Sequence, residues 1–323
     1  KLVQLACSKV LSAIYEQDFL DCSHWYRPKR SAKGAAIVLR RELQGGRYGY
    51  IVEADIKGFF DNLDHDWLLE MLRLRIDDRA FLHLISKWLK AGVLDTDGTV
   101  LHLESGSPQG GIISPILANV YLHYALDLWF QKVVKVHCRG KAELCRYADD
   151  FVCVFRDKRD AERFYQVLPK RVGKFCLQLE QKKTRIMRFS RLVPHMKQGF
   201  SFLGFDFYWK KDRWGTPRVM CRTSRKKLQG ACRRVKEWIR QNRHLPGSEF
   251  FKGLNSRLRG HYNYYGIKYN YQSLNRFYKW AIECTFKWLN RRGGKRNSYT
   301  KETLGRILCL IGIARPRITE AIR

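Results

Sequence analysis

Three aspartates stand at places where predicted strands meet turns. Asp55 closes the apolar run YGYIVEADI, residues 48–56, which is typical of a strand. Asp149 and Asp150 lie between two short β-like runs in ELCRYADDFVCVF, residues 143–155, which predict a hairpin with an acidic tip. A folded sheet could bring these carboxylates together, although 94 residues separate Asp55 from Asp149. Clustered carboxylates in a basic protein need cations, and two Mg²⁺ ions about 3.5–4 Å apart would clamp an in-line phosphoryl displacement.

Each of these positions also has a purely structural interpretation. Aspartate suits turns, so Asp149 and Asp150 could do no more than shape the hairpin. Asp55 could cap a helix that follows the strand. The residues taken singly therefore leave both interpretations open.

The charge of the chain indicates a polyanionic partner. Among 323 residues, 62 Lys and Arg stand against 30 Asp and Glu, a net charge of +32. A compact fold with this charge repels itself unless a polyanion is near, which favours nucleic acid over a membrane surface. Residues 209–323 hold 29 Lys and Arg against 6 Asp and Glu, so the C-terminal part is the stronger candidate for polyanion binding.

Several classes of protein are excluded by simple patterns. No two of the ten cysteines lie closer than Cys138 and Cys145, which excludes CxxC zinc and redox motifs and favours reduced, mostly buried thiols. No apolar run is long enough to span a membrane. The chain begins KLVQLACSKV, with no initiator Met and no signal peptide, so we expect an internal fragment whose upstream part is missing.

The elements that must position the aspartates follow from periodicity. We predict helices over residues 65–75, 79–91, 114–133 and 160–174, and β-like segments over 177–189 and 199–208. From residue 224 onward the period is helical, and three basic helices with apolar stripes predict a separate small bundle. The boundary is expected near residues 209–224.

Six blocks, in one order, resemble a known family. Four resemble the palm of reverse transcriptases: QGGIISPILANVYLHYALD (109–127), RYADDFVCVF (146–155), LEQKKTRI (179–186) and FSFLGFDF (200–207). Two more, LRGHYNYYGI (258–267) and KWLNRRGG (287–294), resemble the maturase domain of group II intron-encoded proteins. The resemblance implies an α+β fold, that of a right-hand polymerase. Residues 1–208 would form partial fingers and a palm with a mixed or antiparallel sheet. Residues 209–323 would form an α-helical thumb and maturase domain.

The resemblance also implies roles for single residues. Asp55, Asp149 and Asp150 would be the catalytic, metal-binding carboxylates, joined by the backbone carbonyl of Ile56. Phe60 would be the steric gate that excludes a 2′-hydroxyl, with Phe59 as the core aromatic beside it. Further residues would contact nucleotide or template: Gln109, Gly110, Lys183, Arg27 and Arg30. Lys182, next to Lys183, is the alternative candidate for the same contact. The primer grip, which positions the primer end, would be Phe202, Leu203 and Gly204.

Two features depart from the family pattern. The family usually has glycine where Trp25 and Lys29 stand, so Trp25 could stack on a template base instead of allowing a close backbone approach. We expect the first fingers block to be missing from this stretch of sequence, and no segment of it resembles the nuclease domain that some relatives carry.

Cations alternate with aromatic residues from residue 225 to 296, which is typical of RNA binding through phosphates and stacked bases. The aromatic residues could equally form the core of the bundle, with the cations on its wet face. The densest cluster, and the best candidate for RNA-backbone contacts, is Arg291, Arg292, Lys295 and Arg296.

Three functions are consistent with these patterns. The first is an RNA-directed DNA polymerase of the group II intron type that also assists splicing. Its cofactor would be two Mg²⁺ ions, or Mn²⁺, and its partners intron RNA, RNA template, DNA primer and dNTPs, without a membrane. The second is a splicing cofactor that binds RNA without polymerase activity, and the third a free-standing or defence-linked relative. A bacterial cytoplasm, near the nucleoid, is the expected location, with an organellar origin left open.

Overall fold

The computed structural model describes residues 1–90, 93–94, 100–101, 106, 111–192, 199–291 and 299–320. Its α-helices are α1 Leu2–Tyr15, α2 Ala32–Gly45, α3 His65–Arg73, α4 Arg79–Lys90, α5 Ser114–Leu122, α6 Lys135–His137, α7 Lys158–Gly173, α8 Arg225–Asn242, α9 Gly247–Tyr265, α10 Tyr271–Leu289 and α11 Lys301–Leu310. A 3₁₀ turn covers Phe59–Asp61, and two π-helical segments, His123–Asp127 and Phe130–Val134, continue α5 toward α6.

The described strands form three sheets. They are β1 Tyr50–Asp55, β2 Val93–Leu94, β3 Val100–Leu101, β4 Ala142–Tyr147, β5 Asp150–Phe155, β6 Arg185–Arg188, β7 Gly199–Phe202, β8 Phe205–Lys211 and β9 Pro217–Thr223. The central sheet has the order β4-β5-β1-β6, and each neighbouring pair in it is antiparallel. The other sheets are the short pair β2-β3 and the three-stranded β7-β8-β9.

Strands β1 and β5 lie in the middle of the central sheet, and both of their faces are covered. Their sequences are therefore mostly apolar. Val52 and Ala54 of β1, with Phe151 and Cys153 of β5, belong to a large apolar core. On the other face, α2 packs near β4. A strand buried on two sides reads as a nearly continuous apolar run, as residues 151–155 do.

Side-chain caps fix where several helices begin. Ser31 accepts a hydrogen bond from the Gly34 amide at the start of α2, and Asp64 accepts one from Trp67 at the start of α3. Asp157 caps α7 directly after β5, which ends the hairpin strand and turns the chain into the helix that covers the core.

The chain divides into two compact units, and they interleave in sequence. The first contains residues 1–198 and 211–218, and the second contains residues 199–210 and 219–323. In the second unit, α8, α9 and α10 pack on one another around a core that includes Val235, Leu254 and Leu274. The stretch 199–210, which the sequence placed mostly with the palm, thus belongs to the unit of the C-terminal helices.

Most predicted elements are present, with two instructive differences. The predicted β segment 177–189 is a strand only at Arg185–Arg188, since the Glu180 carbonyl accepts hydrogen bonds from the Lys183 and Thr184 amides and forms a turn. The helix predicted to end near residue 133 runs to His137 through the π-helical segments. No helix in the described part of the chain is long and apolar enough to cross a membrane.

Candidate functional site

The register of the central sheet places Asp55 directly opposite Asp150. The β1–β5 pairing runs from Tyr50 opposite Phe155 to Asp55 opposite Asp150, the last pair of the ladder. The Glu180 amide donates to the Asp55 carbonyl at 2.8 Å, so the backbone of Asp55 bonds away from β5. In such a non-hydrogen-bonded pair the Cα atoms approach to about 4.5 Å and the side chains lie close together. Since Ala54 points into the core, Asp55 and Asp150 point from the opposite face.

Asp149 lies in the turn between β4 and β5, next to this pair. The preceding residue, Ala148, has φ of 57°, a left-handed conformation that tightens the turn. The acidic hairpin tip predicted from the sequence is therefore present, and its strands pair Tyr147 with Asp150. Burial first, and then the charge of Asp55, raise the pKa of Asp149.

The electrostatics of the pair show an excess of negative charge. Burial raises the pKa of Asp150 to about 7, and the neighbouring carboxylates of Asp55, Glu53 and Asp149 add to the shift. A carboxyl group with this pKa is partly protonated near neutral pH, because burial and then the neighbouring like charges both disfavour its charged form. A cation placed among these oxygens would remove the repulsion.

Two side chains from the β6 region supply partial compensation. The Lys183 ammonium donates a hydrogen bond to Asp55, which raises the pKa of Lys183. Arg185 Nε lies 2.8 Å from Glu53 Oε2, its partner in the β1–β6 register. Lys183 is 67% exposed, so its ammonium is free to turn toward a bound anion. Between the two lysines that the sequence left in competition, the structure places Lys183 at the aspartate.

A fully buried arginine, which sequence reasoning did not single out, holds the acidic turn in place. Arg146, at the end of β4, donates to both oxygens of Asp127 at 2.8 and 2.6 Å, and both side chains are 0% exposed. It also donates to the Ala148 carbonyl at 3.2 Å, to Asn119 Oδ1 at 3.2 Å and to Ser23 Oγ at 2.9 Å. This one guanidinium therefore connects the turn that carries Asp149 to two distant segments, the loop at Ser23 and the helix that runs from α5 into its π-helical continuation. The signal available in the sequence was a charged residue within the buried β4 strand.

Ile56 directs its backbone toward the acidic residues. The Asp55 carbonyl and the Lys57 amide both bond to the segment 178–180, at 2.8 Å each, and Ile56 bridges Leu179 between them. Because backbone groups alternate along a strand, the carbonyl of Ile56 faces the β5 side. The side chain of Ile56 is buried in the core, so only its backbone can serve a ligand.

The two phenylalanines after β1 differ in burial. Phe59 is 1% exposed and packs against Tyr121, which matches its predicted place in the core. Phe60 is half-buried and meets the ring of Trp25 edge to face, with 5.7 Å between the ring centroids. Trp25 is also half-buried, and its carbonyl accepts a hydrogen bond from Asn119 at 2.6 Å. Trp25 thus buttresses Phe60, a contact the sequence did not predict.

The arginines of the loop at residues 27–30 have structural partners. Arg27 is buried and donates to Glu16 and to the carbonyls of Phe19, Leu20 and Ser23, which leaves its guanidinium no room for a triphosphate. The expected contact of Arg27 with substrate therefore does not fit this geometry. Arg30 is more accessible and pairs with the exposed Asp21 at 2.5 Å.

The predicted primer grip forms the turn of the β7–β8 hairpin in the second unit. Leu203 and Gly204 have φ of 52° and 80°, and a Cβ on Gly204 would lie 3.1 Å from Tyr265 Oη, so a side chain there would be strained and crowded. Tyr264 Oη donates to the Leu203 carbonyl at 3.1 Å. Helix α9 therefore fixes the shape of this turn.

Only part of the predicted RNA-binding cluster lies in the described structure. Arg291 is exposed, and its guanidinium lies 5.1 Å from the Trp288 ring centroid, with Arg243 at 5.4 Å from the same ring. Gln109, Gly110, Arg292, Lys295 and Arg296 lie outside the described residues.

The donor set suits a hard divalent cation. Within the described ranges, no three His, Cys, Asp or Glu side chains lie close enough together to bind a metal ion as they stand. Asp55 instead forms an ion pair with Lys183. The facing carboxylates are nevertheless oxygen donors of the kind Mg²⁺ and Mn²⁺ prefer. Burial and the neighbouring carboxylates raise the pKa of Asp150, and a bound cation would favour its charged form.

Comparison with known proteins agrees with these features. Residues 1–207 match the model for reverse transcriptase (RNA-dependent DNA polymerase), a nucleotidyltransferase family that typically uses divalent metals. Residues 228–305 match the model for the group II intron, maturase-specific domain.

Relatives are found in bacteria and among organellar intron proteins. The group II intron-encoded protein LtrA of Lactococcus lactis subsp. cremoris is 30% identical over 360 aligned positions, which cover 86% of this chain and 58% of LtrA. Protein YkfC of Escherichia coli is 31% identical over 250 positions, covering 68% of this chain and 64% of YkfC. The chain therefore spans about three fifths of the length of these curated relatives.

Solved telomerases share the fold. A telomerase from Candida albicans with a fragment of telomeric RNA has a TM-score of 0.51 and 12% identity, covering 95% of this chain and 54% of that one. The corresponding Candida tropicalis structure has a TM-score of 0.52 and 14% identity, covering 96% and 50%. The chain thus has the right-hand polymerase fold. It belongs to the reverse transcriptase family, and its residues 228–305 form the maturase-specific domain found in group II intron proteins.

Proposed function

We propose that this chain is the catalytic and RNA-binding part of a group II intron reverse transcriptase that extends a DNA primer on an RNA template. The observation that carries the proposal is the pair Asp55–Asp150, which the β1–β5 register places side by side, with Asp149 in the adjoining turn. LtrA, which aligns with 86% of this chain, is intron-encoded, and this supports the same assignment.

Asp55, Asp149, Asp150 and the Ile56 carbonyl are the groups that would hold two Mg²⁺ ions. Metal ions held by these groups would supply a lowered pKa for a primer 3′-hydroxyl and positive charge beside the phosphates. The chain's own contribution is to position the reactants, because β1 and β5 are rigid central strands and Arg146 fixes the turn between β4 and β5.

Other residues select and orient the substrates. Phe60, braced by Trp25, would lie against the sugar and exclude a 2′-hydroxyl. The exposed ammonium of Lys183 stands beside the carboxylates, where the triphosphate would bind. The turn at Leu203 and Gly204 would support the primer end, and Gln109 and Gly110 the incoming nucleotide. Template sequence is read by base pairing, so protein contacts go to backbone and shape.

A role in folding intron RNA is the second proposed activity. Residues 228–305 match the maturase-specific domain, and the net charge of residues 209–323 is +23. Exposed cations such as Arg291 would bind phosphates, and this activity does not require the aspartates. The reactions would take place in a bacterial cytoplasm near the nucleoid, or in an organelle if the source is organellar.

Primer extension tests the polymerase proposal. The full-length protein is given an RNA template, a DNA primer and dNTPs with Mg²⁺, Mn²⁺ or Ca²⁺. We expect extension with Mg²⁺ and its loss in Asp149→Ala, with RNA affinity retained. Asp77→Ala, which removes an exposed aspartate, is the matched control and should extend normally. No extension by the unaltered protein, together with tight RNA binding, would instead favour a splicing cofactor without polymerase activity.

A further inference from the structure

An arginine-lined cavity lies at the end of the central sheet remote from the aspartates. It has a volume of about 330 Å³, and its lining includes Tyr48, Ser190 and four arginines. These arginines are Arg47, Arg156, Arg188 and Arg191. Three of the four, Arg47, Arg156 and Arg188, are exposed. None of these residues belongs to the candidate polymerase site.

The sheet itself gathers these arginines. Arg47 precedes β1, Arg156 directly follows β5, and Arg188 is the last residue of β6. Tyr50 pairs with both Phe155 and Arg188. The Gly49 amide donates to the Phe155 carbonyl at 2.9 Å, and the Phe189 amide donates to the Gly49 carbonyl at 2.7 Å. The cluster is therefore fixed by the same backbone ladder that fixes Asp55 and Asp150.

The four guanidinium groups lack carboxylate partners within the described part of the chain. This contrasts with other arginines of the same unit: Arg27 pairs with Glu16, Arg146 with Asp127 and Arg185 with Glu53. Four cationic residues that line one cavity, without counter-ions among the described residues, repel one another, so the arrangement favours a bound polyanion.

We propose that this cavity binds the phosphodiester backbone of RNA, at a place separate from the polymerase site. Guanidinium groups bind phosphate through paired hydrogen bonds, and exposed ones in an open cavity can reach successive phosphates of one strand. The five steps of β1 from Tyr50 to Asp55 span about 17 Å, so RNA held here lies well away from the carboxylates. The proposal does not depend on polymerase activity, because it concerns binding alone.

The test compares two variants of equal charge in the full-length protein. The cavity variant carries Arg47→Ala, Arg156→Ala, Arg188→Ala and Arg191→Ala. The control variant carries Lys132→Ala, Arg159→Ala, Lys170→Ala and Lys174→Ala, which removes four exposed cations from the same unit. Binding of a fluorescein-labelled RNA hairpin of fixed sequence is measured by anisotropy across a KCl series, and binding of inorganic tripolyphosphate by calorimetry.

We expect the cavity variant to bind the hairpin more weakly, with a plot of log affinity against log salt less steep by about 3 to 4, since each of the four lost phosphate contacts removes roughly 0.7–0.9 from the slope. In the control variant, the slope of log affinity against log salt should be close to that of the unaltered protein. An equal loss in both variants would overturn the proposal, because general surface charge would then explain the binding. Unchanged RNA binding with loss of tripolyphosphate binding would also overturn it, in favour of a site for a small free anion. Failure of primer extension in the unaltered protein would leave this comparison intact.

Discussion

The two ends of strand β1 collect charges of opposite sign. At one end, Asp55 faces Asp150, and burial with neighbouring carboxylates raises the pKa of Asp150 to about 7. At the other end, four arginines line a cavity without carboxylate partners among the described residues. Between these extremes stands Arg146–Asp127, a buried pair whose charges cancel. The Arg146–Asp127 pair, whose charges cancel, stabilises the fold. The aspartates and the cavity arginines carry an excess of one sign of charge, which favours binding of a ligand of the opposite sign.

The largest effect is expected from Asp150→Asn at the acidic end. Primer extension should fall by on the order of 10³-fold, since one of the carboxylates proposed to hold the metal ions is lost. Metal-free protein should melt at a higher temperature, because the variant relieves repulsion from Asp55, Asp149 and Glu53. Differential scanning calorimetry in EDTA checks the second point, with the exposed Asp77→Asn as control. A lower melting temperature would show that the carboxylates do not repel one another in the folded state.

The next effect concerns the compensated pair. Arg146→Met should destabilise the protein by about 3–5 kcal/mol, because Asp127 is left as a buried, unpaired charge. The double variant Arg146→Met/Asp127→Leu should recover much of this free energy of unfolding in a urea titration. Primer extension should stay low in the double variant, since the Ala148 carbonyl has lost its donor and the turn with Asp149 is no longer fixed. Full activity in the double variant would make Arg146 a stabilising residue only.

The acidic pair was predictable from sequence because its evidence is local. An apolar run that ends in aspartate, and a hairpin with aspartates at its tip, need only strand periodicity and turn chemistry. The roles of Arg27 and Arg146 could not be found this way. Whether a loop arginine faces solvent or Glu16, and whether a strand arginine meets Asp127, depends on contacts between distant segments. The arginine cavity could not be predicted from the sequence for the same reason, since only the strand register brings residues 47, 156 and 188 together.

The second unit contains a half-buried histidine that stays neutral above about pH 4. His261 stacks on Phe277 with 3.8 Å between ring centroids, and burial, with a smaller effect of Arg234, lowers the pKa of His261 to about 4. The unfolded chain takes up this proton near pH 6.5 and the folded chain does not, so stability is complete above about pH 6.5 and falls as the pH drops toward 4. His24, with a pKa also lowered to about 4 by burial, acts in the same direction in the first unit.

His261→Phe isolates this contribution. When the pH falls from 7 to 4.5, the free energy of unfolding of the unaltered protein should decrease by about 2–3 kcal/mol more than that of the variant. This follows from about 1.4 kcal/mol for each unit of pKa shift. Hydrogen exchange of the α9 amides measures the local free energy of opening, and the exposed His244→Gln is the control. Parallel pH curves for His261→Phe and the unaltered protein would mean that His261 is protonated in the folded state.

The smallest effect is expected where no charge is involved, at the aromatic residues beside the acidic end. Phe60→Ala should raise ribonucleotide incorporation relative to deoxynucleotide by about tenfold, the effect of roughly 1.4 kcal/mol of steric discrimination. Trp25→Ala should raise it by less, because it removes only the ring that braces Phe60 edge to face. Phe59→Leu alters the buried neighbour and should change stability more than selectivity. If Phe59→Leu changed sugar selectivity and Phe60→Ala did not, the gate would be the buried ring. Asp150 and Phe59 would then differ in kind: the carboxylate acts at the acidic end itself, whereas the ring of Phe59 would act through the packing beneath the site.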